Sequence, residues 1–385
     1  MSNNVKFNNI LHIIYDDCDN PWLGGGGARR TYEIYKRFPD STNITILTGY
    51  YSGAKRIETI GKITYVRLGL PFNYLISRIT FSLAAMVKLR QLKYDVVVDD
   101  YTAFSPCFSF WLAKSPVIGS FQNLHSQKAA KGKGLIKGLS ARFFDFFALR
   151  YFKNFTAVSP FLTEQILKRA KYRHNVRFIG IGIDQVLFNI GNRLNEDDPY
   201  ILYIGRLEIF QKGIDVLLQA YMKLKTKPIL LLAGTGADEA KIKEMVKSLG
   251  IESTVRFAGR FSNEEKLEIL RKALFVVMPS RFEGLPVVPL EAMAAGRAFI
   301  GTNIHGTRDI CNGKALLAEP GNSDELAELM SSIINDSTLR DKLESQGREY
   351  SRSYQWSAIA EQFHDFIRDS INNTFIESNN NLLKS

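Results

Sequence analysis

Four charged residues stand where a chain of this kind could do chemistry. An apolar run ends at Met278, a loop follows that carries Glu283, and a helix opens near Pro289 with Glu291 in its first turn; the stretch Pro279 to Gly296 is the strongest local signal in the sequence. Ligands of open α/β sheets bind just beyond the strand C-termini. A helix N-terminus there offers unpaired N–H groups and the positive end of a dipole, which suit a phosphate, while carboxylates accept hydrogen bonds from hydroxyls. Taken alone, Glu291 could simply complement the dipole and Glu283 could be a solvated loop residue. Their neighbours argue otherwise. Gly205-Arg206 closes an earlier apolar strand and Lys212-Gly213 stands at the start of the next helix, so two cations meet at another strand end. Two cations beside a helix N-terminus make a diphosphate site. Each charge-assisted hydrogen bond is worth about 1.5–3 kcal/mol, and cations that meet charge developing on a leaving group act on the barrier itself. Pro286 has no N–H, so Gly284, Leu285, Val287 and Val288 supply the backbone donors of this loop.

These residues need a scaffold of alternating strands and helices, and the sequence supplies one. Ile10 to Tyr15 runs into the turn Gly24-Gly25-Gly26-Gly27 and a helical stretch from Ala28 to Phe38, with β-branched segments at Asn43 to Leu47 and Ile63 to Leu68. Helix Ser77 to Leu92, strands Asp95 to Val98 and Pro116 to Phe121, and Thr156 to Val158 before a helix capped by Ser159 and opened by Pro160 continue the rhythm. Alternation of this kind implies a parallel sheet. Between Asn189 and Pro199 periodicity is lost, and a second series opens with strand Tyr200 to Ile204 and helix Ile214 to Leu224. The expected organisation is an N-terminal domain over 1–189, a linker over 190–199 and a second domain over 200–349. A helix over 350–371 would pack back on the N-terminal domain, and 372–385 would be a flexible tail.

At 385 residues the chain exceeds what one compact α/β core usually holds. Its 45% apolar and 23% charged residues are the balance of a soluble globular protein. No stretch is long and apolar enough to span a bilayer, and Met1 to Asn9 lacks the pattern of an export signal, so the expected location is the cytoplasm. Cys18, Cys107 and Cys311 form no Cys-x-x-Cys pair and read as reduced packing residues. Residues 1–185 hold 26 Lys plus Arg against 12 Asp plus Glu, whereas the remainder is slightly acidic, within an overall charge of +11. A one-sided basic domain favours an anionic membrane surface, nucleic acid or a phosphorylated acceptor. Residues 128–153 interleave basic and aromatic side chains and read either as an interfacial segment or as a basic loop before a core helix.

Gly-Arg at 205–206, Lys-Gly at 212–213, Glu283 and Glu291 within Pro-Ser-x-x-Glu-Gly and Leu-Glu-Ala-Met-Ala-x-Gly together resemble the family 4 glycosyltransferases, the glycosyl transferases group 1 type. The glycine-rich first loop, Ala157-Val158-Ser159, Gly182-Ile183-Asp184 with Phe188, and Glu319-Pro320-Gly321 extend the resemblance along nearly the whole chain. It implies an α/β protein of the GT-B fold, two Rossmann-like domains with parallel sheets facing across a cleft. The first domain would bind the acceptor and the second a nucleotide sugar. It further implies a retaining enzyme in which Arg206 and Lys212 hold the donor diphosphate, Glu283 faces the transferred sugar and Glu291 the ribose hydroxyls. Gly205, Gly284, Leu285 and Val287 would line the donor site, and Gly25, Gly26 and Gly27 would admit the donor phosphate or acceptor to the first helix. Members of the family commonly carry a histidine after the strand matching Pro116 to Phe121; here Gln122 stands there and His125 follows, so either is a candidate sugar contact. His305-Gly306-Thr307 likewise replaces a common Gly-Gly.

No metal or other cofactor is expected, because Arg206, Lys212 and a helix dipole can neutralise the diphosphate; Asp17 and Asp19 form an Asp-x-Asp that could bind a divalent ion, but no further hard-ligand pattern accompanies it. The expected partners are a nucleotide-sugar donor, a saccharide or lipid-linked acceptor and an anionic membrane surface, but not nucleic acid, since no recognition motif accompanies the charge. The competing readings are a nucleotide-sugar-binding protein without activity, suggested by Gln122, and a basic nucleic-acid-binding protein. A nicotinamide dehydrogenase fails because Gly234-Thr235-Gly236 lacks its third glycine at Glu239.

Overall fold

The computed structural model describes residues 7–22, 26–122, 124, 135–170, 175–191, 199–283 and 285–382. The chain divides into two compact units, one running to Gly182 and resuming at Trp356, the other spanning Ile183–Gln355.

In the first unit, β1 (Asn9–Ile13), α1 (Gly26–Tyr35), β2 (Asn43–Gly49), β3 (Ile57–Ile60), β4 (Ile63–Leu68), α2 (Tyr74–Gln91), β5 (Val96–Asp100) and α3 (Ser109–Leu112) come first. They are followed by β6 (Val117–Phe121), α4 (Leu135–Tyr151), β7 (Asn154–Ala157), α5 (Pro160–Arg169) and β8 (Asn175–Phe178). Among the described residues the strands form one sheet in the order β3-β4-β2-β1-β5-β6-β7-β8. All neighbours are parallel except β3, which pairs antiparallel with β4. An entirely parallel sheet is therefore corrected at this edge. Only Gly61-Lys62 joins the two strands, far too little chain for a crossover, so they close as a hairpin.

Helices cover both faces of this sheet, and the strands accordingly read as continuous apolar runs. Val96, Val97 and Val98 are all fully buried. On one face Ile10, Ile44 and Val96 meet Ile34 and Tyr35 of α1, together with Trp356, Phe363 and Ile367 from the far end of the chain. On the other, Leu11, Ile13 and Val97 meet Phe81, Ala85 and Leu89 of α2. Capping sets the helix starts: Asn73 accepts from the Ile76 amide before α2, and Ser159 from the Leu162 amide before α5.

Burial pushes the Asp99 carboxyl at the end of β5 up to about 7, with Asp100 adding to the rise and a hydrogen bond from Ser109 opposing it. The folded protein therefore keeps a proton that the unfolded chain has released above its ordinary carboxyl range, so stability falls as pH rises from about 4 to 7. Asp99→Asn is expected to remove that slope and to raise stability at pH 8 by about 2–4 kcal/mol. Melting temperature against pH for both proteins checks this; parallel curves would refute it.

The second unit begins with a 3₁₀ turn at Gln185–Asn189 and continues through β9 (Tyr200–Ile204), α6 (Ile209–Lys212), α7 (Ile214–Met222), β10 (Leu230–Ala233), α8 (Glu239–Ser248), β11 (Val255–Gly259), α9 (Asn263–Lys272) and β12 (Ala273–Val277). Then come α10 (Val288–Ala294), β13 (Ala298–Thr302), α11 (His305–Cys311), β14 (Leu316–Ala318), α12 (Ser323–Asn335) and α13 (Ser337–Ser351). Its described strands form a sheet in the order β11-β10-β9-β12-β13-β14, parallel throughout. A reciprocal capping box between Ser262 and Glu265 starts α9. Arg297, almost wholly buried, closes its other end by donating to the Leu270 and Arg271 carbonyls.

The chain changes unit earlier than the expected linker at 190–199. Ile183 already pairs with Gln355 and donates to the Tyr354 carbonyl, and the Phe188 carbonyl accepts from Arg348 of α13. The expected linker positions 190–199 thus fall inside the second unit. The chain then returns through α14 (Trp356–Leu382), whose residues Trp356, Ile359, Phe363, Phe366, Ile367 and Ile371 lie at helical spacing and join the first unit's core. This helix continues through most of the tail expected over 372–385.

Candidate active site

In the second unit the charged residues of the sequence motif converge where β9 and β12 end. Lys212, the last residue of α6, donates to Glu283 Oε1 at 2.6 Å, and both side chains are largely withdrawn from solvent. The Ser280 hydroxyl donates to the same oxygen at 2.8 Å, and Thr302 on β13 donates to the Ser280 carbonyl. Glu283 is therefore fixed by a cation and a hydroxyl.

The loop that carries Glu283 is clasped from the side. Arg281 forks onto Asp215 of α7 at 2.9 and 2.7 Å and also donates to the Ile209 carbonyl, while its amide donates to the Gln211 carbonyl. A bidentate guanidinium–carboxylate pair fixes direction as well as distance. Gly213 makes the approach possible: its φ is +67° and a Cβ there would stand 2.1 Å from the Pro279 carbonyl oxygen.

Arg206 follows β9 and is the exposed member of the group, pairing with Glu208 and donating to Gln211 Oε1 at 3.2 Å. Tyr203 lies beneath it and donates to the Arg206 carbonyl at 2.6 Å. Burial, with the charges of Glu283 and Glu208 adding, pushes the Tyr203 phenol far above its ordinary range, so it remains a neutral donor. Gly234, at φ +139°, brings its loop so close that a Cβ would stand 1.9 Å from the Gly205 carbonyl oxygen. The Gly234-Thr235-Gly236 turn thus supports the Arg206 loop.

Glu291 lies in the first turn of α10 and pairs at 2.7 Å with Lys266 of α9, each side chain mostly covered. It does more than complement a dipole: its charge has a dedicated partner. No side chain caps the N-terminus of α10, which Val287 precedes with Leu285 partly buried nearby, while Gly284 lies outside the described residues. The arrangement offers two cations, two carboxylates held by partners and an uncapped helix start, a set suited to an anionic polyhydroxyl ligand.

In the first unit the strand ends of β1, β5 and β6 bring together a buried polar cluster. Gln122 donates through Nε2 to Asp100 Oδ1 at 3.3 Å, Asp100 Oδ2 faces His12 Nε2 at 3.4 Å, and His12 Nδ1 meets the Tyr35 hydroxyl at 2.8 Å. Burial alone would raise the Asp100 carboxyl, but hydrogen bonds from His12 and Ser120 and the charge of Arg30 hold it below the usual carboxylate range. An ionised Asp100 fixes the Gln122 carboxamide with its NH₂ inward and its oxygen as the acceptor. His125 and Gly25 lie outside the described residues.

Gly26 opens α1 with open space around its Cβ position, and Gly27 sits in ordinary contact distance of Asp16 and Ile14. The expectation that this helix start admits a phosphate meets an obstacle: Asp16 already accepts from the Ala28 amide at 3.3 Å, placing a carboxylate at the positive dipole end. A neutral hydroxyl is better accommodated there than a second anion. Asp17 is engaged by Arg67 at 2.8 Å in a buried ion pair.

Residues 24–186 match the Glycosyltransferase Family 4 description and residues 188–350 match Glycosyl transferases group 1. An uncharacterised glycosyltransferase of Methanocaldococcus jannaschii is 30% identical over 352 residues, covering 90% of this chain and 95% of the relative. The chain belongs to the family 4 glycosyltransferases. Its fold is similar to sucrose-phosphate synthase from Thermosynechococcus elongatus, at TM-score 0.73 and 21% identity over 94% of this chain and 98% of the other. It is also similar to Anabaena HepE in complex with UDP-glucose, at TM-score 0.69 and 16% identity over 94% and 100% of the two chains. The fold is GT-B.

Several residues of this glycosyltransferase's candidate site carry no role in the sequence reading. Lys266 and Asp215 gain theirs from helix neighbours that local spacing does not reveal. Ser280 and Arg281 stand inside the motif, where three-residue spacing to Glu283 was a usable signal for Ser280.

Proposed function

We propose that this enzyme is a retaining glycosyltransferase that moves a sugar from a nucleoside diphosphate sugar to a hydroxyl of a saccharide or lipid-linked acceptor. Its place would be polysaccharide, lipopolysaccharide or glycolipid assembly, in the cytoplasm and peripheral to the inner face of the membrane. The observation that carries the reading is the Lys212–Glu283 pair at 2.6 Å, set beside Arg206 at the end of β9. In the free enzyme the cation neutralises the carboxylate. When a diphosphate arrives, Lys212 and Arg206 turn to its oxygens, and Glu283, still held by Ser280, accepts from sugar hydroxyls. Glu291 accepts from the ribose, held in place by its pairing with Lys266.

As the anomeric carbon–oxygen bond to the diphosphate breaks, negative charge grows on the leaving group and positive charge on the sugar ring. The two cations stabilise the first. The acceptor oxygen bonds to the same face of the anomeric carbon, and its proton passes to the departing phosphate oxygen. The HepE neighbour's complex with UDP-glucose makes uridine donors the first to try.

The test is a thermal-shift panel of UDP-, GDP-, ADP- and dTDP-sugars on wild type and Glu291→Gln. One donor at about a hundredfold over its Kd should stabilise the wild type by about 2.7 kcal/mol, and Glu291→Gln should need roughly tenfold more. Proton NMR of the product should show the donor's anomeric configuration. If no nucleotide sugar shifts the melting of folded protein, the donor reading fails.

A further inference from the structure

Helix α2 is apolar on both sides. Phe81, Ala85 and Leu89 bury one face against the sheet, yet Leu75, Ile79, Leu83 and Val87, at successive four-residue steps on the opposite face, are each 50–65% exposed. The helix contains no acidic residue. A helix with apolar residues all round is expected to be covered on all sides. Neighbouring elements expose more: Arg78, on the covered side of α2, donates to Ser105 Oγ at 2.9 Å in the loop leading to α3, where Trp111 is half exposed. Trp111 in turn meets Tyr151 of α4 edge-on at 4.9 Å, and Phe146 of α4 is 64% exposed. Three neighbouring elements of the first unit, α2, α3 and α4, thus expose large apolar and aromatic side chains, of the kind that mark an interaction site.

Charge identifies what covers it. Residues 70–153 contain twelve Lys plus Arg and only four acids. All four acids are engaged internally: Asp95 accepts from the Asn8 and Asn9 amides, Asp99 from Ser109, Asp145 from the Tyr101 hydroxyl, and Asp100 faces His12. Arg90, Lys93, Lys114, Arg142 and Arg150 are exposed. A second copy of this face would bring cations against cations. An anionic bilayer satisfies both features, since apolar side chains enter the acyl boundary, an amphipathic indole sits at the headgroups, and each basic residue near the surface gains about fivefold in partitioning.

We infer that the α2 stripe with Trp111 and the exposed aromatics of α4 is a docking surface for an anionic phospholipid bilayer. This deepens the acceptor side of the proposed function by naming the residues that meet the membrane, and it rests on that reading only for its purpose, since docking needs no donor.

Flotation of the full chain with phosphatidylcholine vesicles containing about 30% phosphatidylglycerol tests it, against pure phosphatidylcholine and against about 0.5 M salt. Wild type should bind the anionic vesicles at low salt and at least about tenfold less in either control. Ile79→Glu with Leu83→Glu, both on the exposed stripe, should lower binding about tenfold or more while the melting temperature and nucleotide-sugar binding stay unchanged. Should that double variant fold poorly, spin-labelled lipid in the same vesicles should quench wild-type tryptophan fluorescence and lose that effect in Trp111→Phe. Undiminished binding by a folded double variant, or a quenching signal that survives Trp111→Phe, overturns the surface. Absence of wild-type flotation overturns the inference outright, as does a dimer in solution that the glutamates dissociate without vesicle binding. Loss of donor binding with flotation intact would instead sink only the donor reading.

Discussion

Lys212→Ala should lower kcat/KM by about 10²–10⁴-fold, the largest loss expected from any single side chain of the site. The reason is that Lys212 serves two states. In the free enzyme it neutralises Glu283 at 2.6 Å, and under the proposed function it would meet, in the donor complex, the charge that grows on the leaving diphosphate. Removing it therefore leaves a carboxylate, only 9% exposed, without its counter-charge, as well as stripping a cation from the transition state. Breaking one half of a covered ion pair costs more than removing both halves. Lys212→Ala alone should destabilise the ligand-free protein by about 2–4 kcal/mol, whereas Lys212→Ala with Glu283→Gln should recover part of that while remaining inactive. Urea unfolding and initial rates on the three variants separate the two roles. A single variant within about threefold of wild-type activity would remove Lys212 from the mechanism.

How far the site could be read in the sequence depends on what kind of contact makes each part. The strand–helix rhythm was legible because strands buried on both faces, such as Val96 to Val98, leave continuous apolar runs. Glu283, Glu291, Arg206 and Lys212 were legible because Arg206 and Glu283 closely follow strand ends, while Lys212 stands just before α7 and Glu291 in the first turn of α10. Lys266 was not, since its pairing with Glu291 exists only because α9 lies beside α10. The cluster of His12, Asp100 and Gln122 joins three strand ends up to 110 residues apart in the chain, and nothing in local spacing announces it. β3 escaped notice because its four residues are mostly exposed and carry little apolar pattern. The unit boundary was misplaced for a related reason. The loss of periodicity at 190–199 falls inside the second unit, whereas the chain crosses at Gly182-Ile183, where a Cβ on Gly182 would stand 2.3 Å from the Trp356 ring and the sequence shows no break.

The ion pairs of the second unit share a design. Lys212 with Glu283, Lys266 with Glu291 and Arg281 with Asp215 each join residues at least 25 positions apart. The Arg281 fork is bidentate and fixes the loop, whereas the two lysine pairs are single contacts from flexible stems. Under the proposed function a lysine would leave its carboxylate for a phosphate without disturbing the backbone, so the loop would stay in place while its charges exchanged partners.

That backbone depends on Gly213, and a comparison of two glycines isolates why. Gly213 and Gly250 share a φ of +67°, but a Cβ on Gly250 would meet nothing within 4 Å, whereas one on Gly213 would stand 2.1 Å from the Pro279 carbonyl oxygen. Alanine at either position bears the cost of a left-handed conformation, about 1–2 kcal/mol. Only at 213 must the main chain also move, and the segments that would separate are those carrying Lys212 and Glu283. Gly250→Ala should therefore lose about 1 kcal/mol of stability with full activity. Gly213→Ala should lose about 3–5 kcal/mol and at least about a hundredfold in kcat/KM, because a displacement of about 1 Å at the reacting groups is enough for that. Equal losses of stability in the two variants would show that conformation alone governs both, and that the close approach of Gly213 to Pro279 does not position the lysine.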